Sequence, residues 1–218
     1  MRPLASLLLM MGWNVLGCAS ASLLPSNGAS AGEAQDYGVL DNGFVWVRGP
    51  WGVIQPSGDI DEVIDQLCPA VMALPRADWK DYGQEYCGAI YTLGDGAFYA
   101  SKPSPLGKTE AIGPAQRKNC YPPRYIVDER GRTSTQLDYH SHPWPGSRMS
   151  ERDRQARTQI WPLRIQFDTR CTIQKLVPNL DTSLPGEVYE RRGQSWVRVG
   201  IIPAEDKPFG YVTPLPEP

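Results

Sequence analysis

Proline and glycine interrupt this chain so often that few segments are long enough to build a helical bundle. Each occurs 21 times, together 42 of 218 positions. That density is rich in turns yet below the roughly 25–30% that marks disorder. Hydrophobic residues make up 41% of the chain and tryptophan occurs seven times, so a core can form. Few apolar runs reach helical length, which favours a β-rich or mixed domain. The length suits one domain, or one domain with an appendage. With 22 Lys+Arg against 24 Asp+Glu, the near-neutral charge argues against a protein that holds nucleic acid by counterion release. There are only two histidines. A multi-histidine metal cluster is therefore excluded, and any imidazole chemistry falls to His140, His142 or both.

The amino terminus reads as an address. Met1 and Arg2 precede an apolar run from Leu4 to Leu16, too short to span a bilayer and of the form of a secretory signal. It ends in Val15-Leu16-Gly17-Cys18, which resembles a bacterial lipoprotein processing site. The resemblance implies a signal peptide over 1–17, cleavage before Cys18 and lipidation of Cys18 as a membrane anchor. The alternative is an ordinary secretory signal cut after a small residue such as Ala21. Ala19 stands where inner-membrane lipoproteins often carry Asp, so the expected location is the outer membrane of a bacterial envelope, facing the periplasm or the cell surface. Residues 18–36 are expected to form a flexible Ala/Ser/Gly-rich tether. Four cysteines follow: Cys68, Cys87, Cys120 and Cys171. An even number in an exported chain suggests up to two disulfides in any of three connectivities, with free buried thiols as the alternative.

A folded domain is expected over 37–202. Val39 to Val47 reads as a strand. Asp59 to Leu74 reads as a helix with acidic residues at its start, an Ile60, Val63, Ile64 and Leu67 stripe, and Pro69 to kink or end it. Glu85–Leu93, Ala97–Ala100, Tyr125–Asp128, Thr135–His142, Leu163–Phe167 and Thr172–Leu176 read as strands, and Val188–Glu190 with Trp196–Val199 as a hairpin. Ser101 to Arg124, with five prolines, is expected to be a long irregular loop of the kind that carries function. Ser150 should start a helix running to about Ile160. The tail 203–218 is proline-rich and expected to be extended.

The chemistry concentrates in Asp138-Tyr139-His140-Ser141-His142-Pro143 and the segment after it. Alternation along a strand projects both imidazoles from one face. Ser150, separated from His142 by seven residues, suits a helix N-cap, which places Asp153 in the first turn. Two histidines and a carboxylate leave a fourth position on a tetrahedral ion for water, the pattern of a catalytic zinc site. Asp138 shares the histidine face and is a candidate to accept a ring N–H from one of them.

The spacing H-x-H-x7-S-x2-D resembles the signature of the JAMM metalloproteases, also called the MPN or JAB-like family. Two histidines placed at random in this length fall two apart about once in 110 placements, so the pattern is specific. Glu85-Tyr86-Cys87-Gly88 is similar to the family's glutamate before a Cys-Gly pair at the start of an earlier strand. The resemblance spans roughly 59–199. It implies an α/β (α+β) domain with a mixed curved sheet flanked by helices, zinc held by His140, His142 and Asp153, Glu85 as general acid/base, and Ser150 donating to the developing oxyanion. It also implies a zinc-dependent peptidase, isopeptidase or amidase acting on a peptide or protein. Well-known members act on ubiquitin conjugates, which a bacterial lipoprotein does not meet, and the 101–124 loop does not resemble a ubiquitin-binding insertion. The substrate is therefore open. Two other readings compete: a non-catalytic envelope binding or scaffolding lipoprotein, and a thiol hydrolase pairing Cys87 with His140.

Overall fold

The computed structural model describes residues 35–112, 115–180 and 183–216. The signal segment, Cys18 and all of the tether before Gln35 lie outside the described residues. The chain runs β1 (Tyr37–Val39), β2 (Val45–Arg48), α1 (Ile60–Met72), β3 (Cys87–Thr92), β4 (Phe98–Ala100), β5 (Thr109–Ile112), β6 (Ala115–Lys118), β7 (Tyr125–Val127), β8 (Ser134–Ser141), α2 (Glu151–Arg154), β9 (Leu163–Phe167), β10 (Ile173–Val177), β11 (Gly186–Arg192), β12 (Ser195–Ile202) and β13 (Thr213–Pro214). Eight strands form the main sheet in the order β13-β12-β11-β10-β9-β8-β3-β4, mixed because β8 and β9 run parallel. A three-stranded sheet, β1-β2-β7, and a β5–β6 hairpin complete the architecture. The mixed α+β class holds, with sheet dominating and α1 the longest helix among the described residues.

Alternation in β3 and β8 divides the molecule into two faces. Cys87 pairs with His140 and Gly88 with Tyr139 in antiparallel register. One face carries Tyr86, Ile90, Leu137 and Tyr139, joined by Ile165 and Phe167, and packs against Val63, Ile64, Leu67 and Val71 of α1. The other carries Ala89 and Tyr91 against Val45, Val47 and Ile126 of the small sheet. Gly88 helps to set this register, because a Cβ there would lie 2.3 Å from the Tyr139 ring. An alanine could not share the site with that aromatic side chain.

The α1 helix begins as its sequence dictates: the Asp59 side chain accepts the Asp61 N–H at 2.9 Å and acidic residues fill the first turn. Pro69 lies inside the helix, which ends three residues later. Proline withholds the N–H that the Asp65 carbonyl would accept, and both residues sit on the exposed face, where water can replace it. Two disulfides join the four cysteines, Cys68 to Cys171 and Cys87 to Cys120. The first closes a 103-residue separation and sews α1 to the loop between β9 and β10. A loop of that size corresponds to about 4–5 kcal/mol in the chain-entropy account.

Four expectations change. Val39–Val47 is two strands, because Asp41-Asn42-Gly43 makes a turn: Gly43 has φ +81° and the Asn42 side chain accepts the Phe44 N–H. The 101–124 segment contains the β5–β6 hairpin, since none of its prolines falls within either strand. The helix at Ser150 is a single turn, followed by a 3-10 turn over Ala156–Thr158. Neither piece buries a side chain, so no apolar stripe holds a longer helix against the sheet. The tail is not extended throughout: a 3-10 turn at Ala204–Asp206 precedes β13, which pairs with β12.

The two sheets are also clamped by Asp128. Its carboxylate accepts the buried Tyr91 hydroxyl at 2.5 Å and a forked pair of bonds from Arg130 at 2.7 and 3.0 Å. Arg130 chiefly, with help from Tyr91, lowers the Asp128 pKa from 3.8 to about 2. A lowered carboxylate pKa contributes stability above the unfolded value and loses it as pH falls through the folded value. Asp128→Asn should therefore lower unfolding stability at pH 7 by about 1–3 kcal/mol. In urea melts the gap to wild type should narrow as pH falls from about 4 towards about 2; a gap unchanged over that range refutes the assignment.

Candidate metal centre

The site lies on the face of the sheet opposite α1. Asp138, His140 and His142 share it by alternation, and Arg164 and Gln166 of β9 pair beside Asp138 and His140. Extending the β3–β8 register past Cys87 sets Glu85 opposite His142, and the Ser141 N–H bond to the Tyr86 carbonyl shows that pairing continues there. Glu85, His140, His142, Ser150 and Asp153 all line one cleft of about 370 Å³. The structure thus brings the five residues of the motif to one cleft, whereas Asp138 does not line it. The β5–β6 hairpin forms a wall of this cleft. It is tied at its base by Cys87–Cys120, at Lys118 by the Glu85 N–H, and across the opening by an Arg152–Glu110 ion pair at 3.0 Å.

Ser150 is the N-cap of α2, and it forms a capping box with Asp153. The Asp153 N–H donates to Ser150 Oγ at 3.2 Å, while Ser150 N–H and Oγ–H both donate to Asp153 Oδ2 at 2.9 and 2.5 Å. This reciprocal pair aims the carboxylate at the histidines. Asp153 Oδ2 lies 3.6 Å from His140 Nε2 and 3.4 Å from His142 Nε2. Burial pushes the Asp153 carboxyl pKa up, but the two imidazoles outweigh it and hold the group well below the ordinary carboxylate range.

Three observations make this cluster fit a cation. The ligand atoms of His140, His142 and Asp153 all lie within 4.8 Å of one another. A tetrahedral ion with bonds of about 2.0–2.1 Å spaces its donors about 3.3–3.5 Å apart, close to the two distances found. Finally, His140 Nε2 is buried without a hydrogen-bond partner, an arrangement that costs free energy unless another species completes it.

The surroundings correct two readings. Asp138 does not serve a histidine: its Oδ2 accepts two bonds from Arg164 at 2.8 and 3.0 Å, and its Oδ1 has no partner. His142 is instead oriented by Ser147, whose Oγ lies 2.9 Å from Nδ1 and so turns Nε2 towards Asp153. Cys87, although directly across from His140, is in a disulfide. It has no thiolate to act as a nucleophile, which removes the thiol-hydrolase reading for this oxidised form.

Sequence reasoning passed over Ser147, Arg164 and Gln166. Gln166 is fully buried beside His140, and its amide holds the Ser147 carbonyl at 3.0 Å. A signal for the β9 pair was present: Leu163-Arg164-Ile165-Gln166-Phe167 alternates polar and apolar, although the strand is central and buried on both faces. Ser147, in an irregular loop, carried none.

Comparison with family profiles, with curated proteins and with solved structures finds no match for this chain. Function must therefore be argued from the site itself. Ser147→Ala should weaken binding of cobalt or zinc about 10–100-fold by freeing the His142 ring. Isothermal titration of the variant against wild type tests this, and equal affinities would remove Ser147 from the site.

Proposed function

We propose that the protein is a zinc-dependent peptidase, isopeptidase or amidase of the JAMM, or JAB-like, type. The observation that carries this reading is the convergence of His140 and His142 Nε2 on the Asp153 carboxylate, with one of those nitrogens buried and unpartnered. The donor set favours zinc among common cations: two neutral imidazoles and one carboxylate, with room for a further ligand. Glu85 and Ser150 line the same cleft, so the five residues of the motif form one constellation.

Zinc, when bound, supplies Lewis-acid chemistry that polarises an amide carbonyl and makes water a nucleophile near neutral pH. The chain supplies the rest. His140, His142 and Asp153 would hold the ion, and with the His142 Nδ1–H given to Ser147 Oγ, Nε2 would be the ligand. The Glu85 carboxylate takes the proton from the attacking water and returns it to the departing amine nitrogen. Ser150 has one hydroxyl proton, now given to Asp153. Donated to the carbonyl oxygen, it stabilises the charge that develops there.

The envelope setting is part of the same proposal. A lipid at Cys18 places the domain at a membrane surface, and two disulfides among the described cysteines suit an oxidising compartment. Among the described residues no helix is long and apolar enough to cross a membrane.

Glu85→Gln separates catalysis from binding. The variant should keep about one zinc per chain yet cleave a peptide library about 10²–10⁴-fold more slowly than wild type. Chelation should abolish wild-type cleavage, and zinc should restore it. A wild-type protein that holds zinc but cleaves nothing, with Glu85→Gln indistinguishable from it in every assay, identifies a non-catalytic binding protein instead.

A further inference from the structure

We infer that Arg164 is a positioning residue that fastens the third metal ligand to the strand carrying the other two. The inference rests on the metal-site reading above. It starts from an imbalance in how the ligands are held. His140 and His142 sit on or beside a central strand, locked by sheet hydrogen bonds on both sides. Asp153 sits on a four-residue helical turn, Glu151–Arg154, that has no apolar side chain to bury. The 3-10 turn after it buries none either. Buried Met149 anchors the chain just before Ser150, but no buried apolar side chain lies within the two turns, so polar contacts set the position of Asp153.

Some come from the C-terminal segment, where the Lys207 carbonyl accepts the Ala156 N–H and the Gly210 carbonyl accepts Arg154 Nε–H; Arg164 supplies those that lead back to the histidine strand. Its Nη1 donates to the Asp153 carbonyl at 2.7 Å and to Thr158 Oγ1 at 3.3 Å, while Nη2 donates to the Thr158 carbonyl at 2.9 Å. One guanidinium thus grips both ends of the Asp153–Thr158 segment. Its other edge is bound by Asp138 through Nε and Nη2 at 3.0 and 2.8 Å. Asp138 lies directly across from Arg164 in the β8–β9 register and two residues before His140. The ion pair is almost wholly buried, with side chains 3% and 1% exposed. Gln159 adds a further bond to the Asp153 carbonyl at 2.5 Å.

A buried ion pair is weak evidence for stability, because desolvation offsets its attraction. Its geometry is informative instead. The planar fork presents five N–H donors in fixed directions, and here they join β8, β9 and the Asp153 segment in one rigid unit. A lysine has three N–H donors on one nitrogen and cannot reproduce the five bonds that Arg164 makes from three. The strut transmits the position of the His140 strand to the Asp153 backbone, and the capping box then aims the carboxylate.

The test uses the full domain and cobalt as a spectroscopic probe. Arg164→Lys keeps a positive charge against Asp138, and the double variant Arg164→Met with Asp138→Leu removes the pair without leaving a buried charge alone. Two measurements are made on each: hydrogen exchange at the Ala156, Thr158 and Gln159 amides without metal, and cobalt affinity with its visible absorption spectrum. Both variants should lose protection at those amides, bind cobalt about 10–100-fold more weakly, and show an altered absorption band. Unchanged protection overturns the strut. Lost protection with wild-type cobalt affinity and spectrum makes Arg164 structural only, which overturns its positioning role. A wild-type protein that binds no cobalt overturns the metal reading itself, while exchange still decides whether Arg164 fastens the segment.

Discussion

The antiparallel register of β3 on β8 is the constraint on which the rest of the structure depends. With Gly88 opposite Tyr139 and Cys87 opposite His140, apolar side chains face α1 and polar ones face the cleft. Strand side chains alternate with period two, so a slip of one residue would send both histidines into the helix-side core and Tyr139 into the cleft. The close approach of the Tyr139 ring to Gly88 opposes such a slip. A glycine at this position therefore supports the site without lining its cleft.

Polar groups on the cleft side are organised by one another. Across the sheet run Asp138 with Arg164 and His140 with Gln166, and Gln174 continues the row, its side chain accepting the Met149 N–H at 2.8 Å. These side chains grip the loop between β8 and α2 from beneath. Buried polar networks of this kind are costly when incomplete and rigid when satisfied. His140 Nε2 is the unpartnered atom that faces Asp153, while Asp138 Oδ1, Gln159 Oε1 and Gln166 Oε1 are left over in the network around it.

Much of this was legible before any coordinates. The His-x-His spacing on a strand, the Ser150 cap and the Asp153 placement follow from short-range geometry, and short-range geometry is what residue order encodes. Most strands of the main sheet, and α1 with its acidic start, follow for the same reason. The disulfide pairing was not legible, because it joins residues 33 and 103 positions apart and depends on tertiary arrangement. The length of the helix after Ser150 was misjudged because a good cap starts a helix, whereas burial of an apolar face sustains one. The Asn42-Gly43 turn was readable turn chemistry that the surrounding apolar residues masked. Arg164 and Gln166 were visible as polar interruptions in β9, but their meaning required knowing that both faces of that strand are covered.

The two ends of the main sheet have a consequence of another kind. Beyond β4, Ser57 pairs with Phe98 and the Trp51 N–H meets the Ala100 carbonyl. At the far end β13 contributes only two residues, and one of them, Pro214, has no N–H to offer. Open strand edges are where chains exchange segments or stack into fibrils, and short, covered or proline-bearing edges block that route. A β-rich domain held at high local density can then crowd against its own copies without polymerising through its sheet.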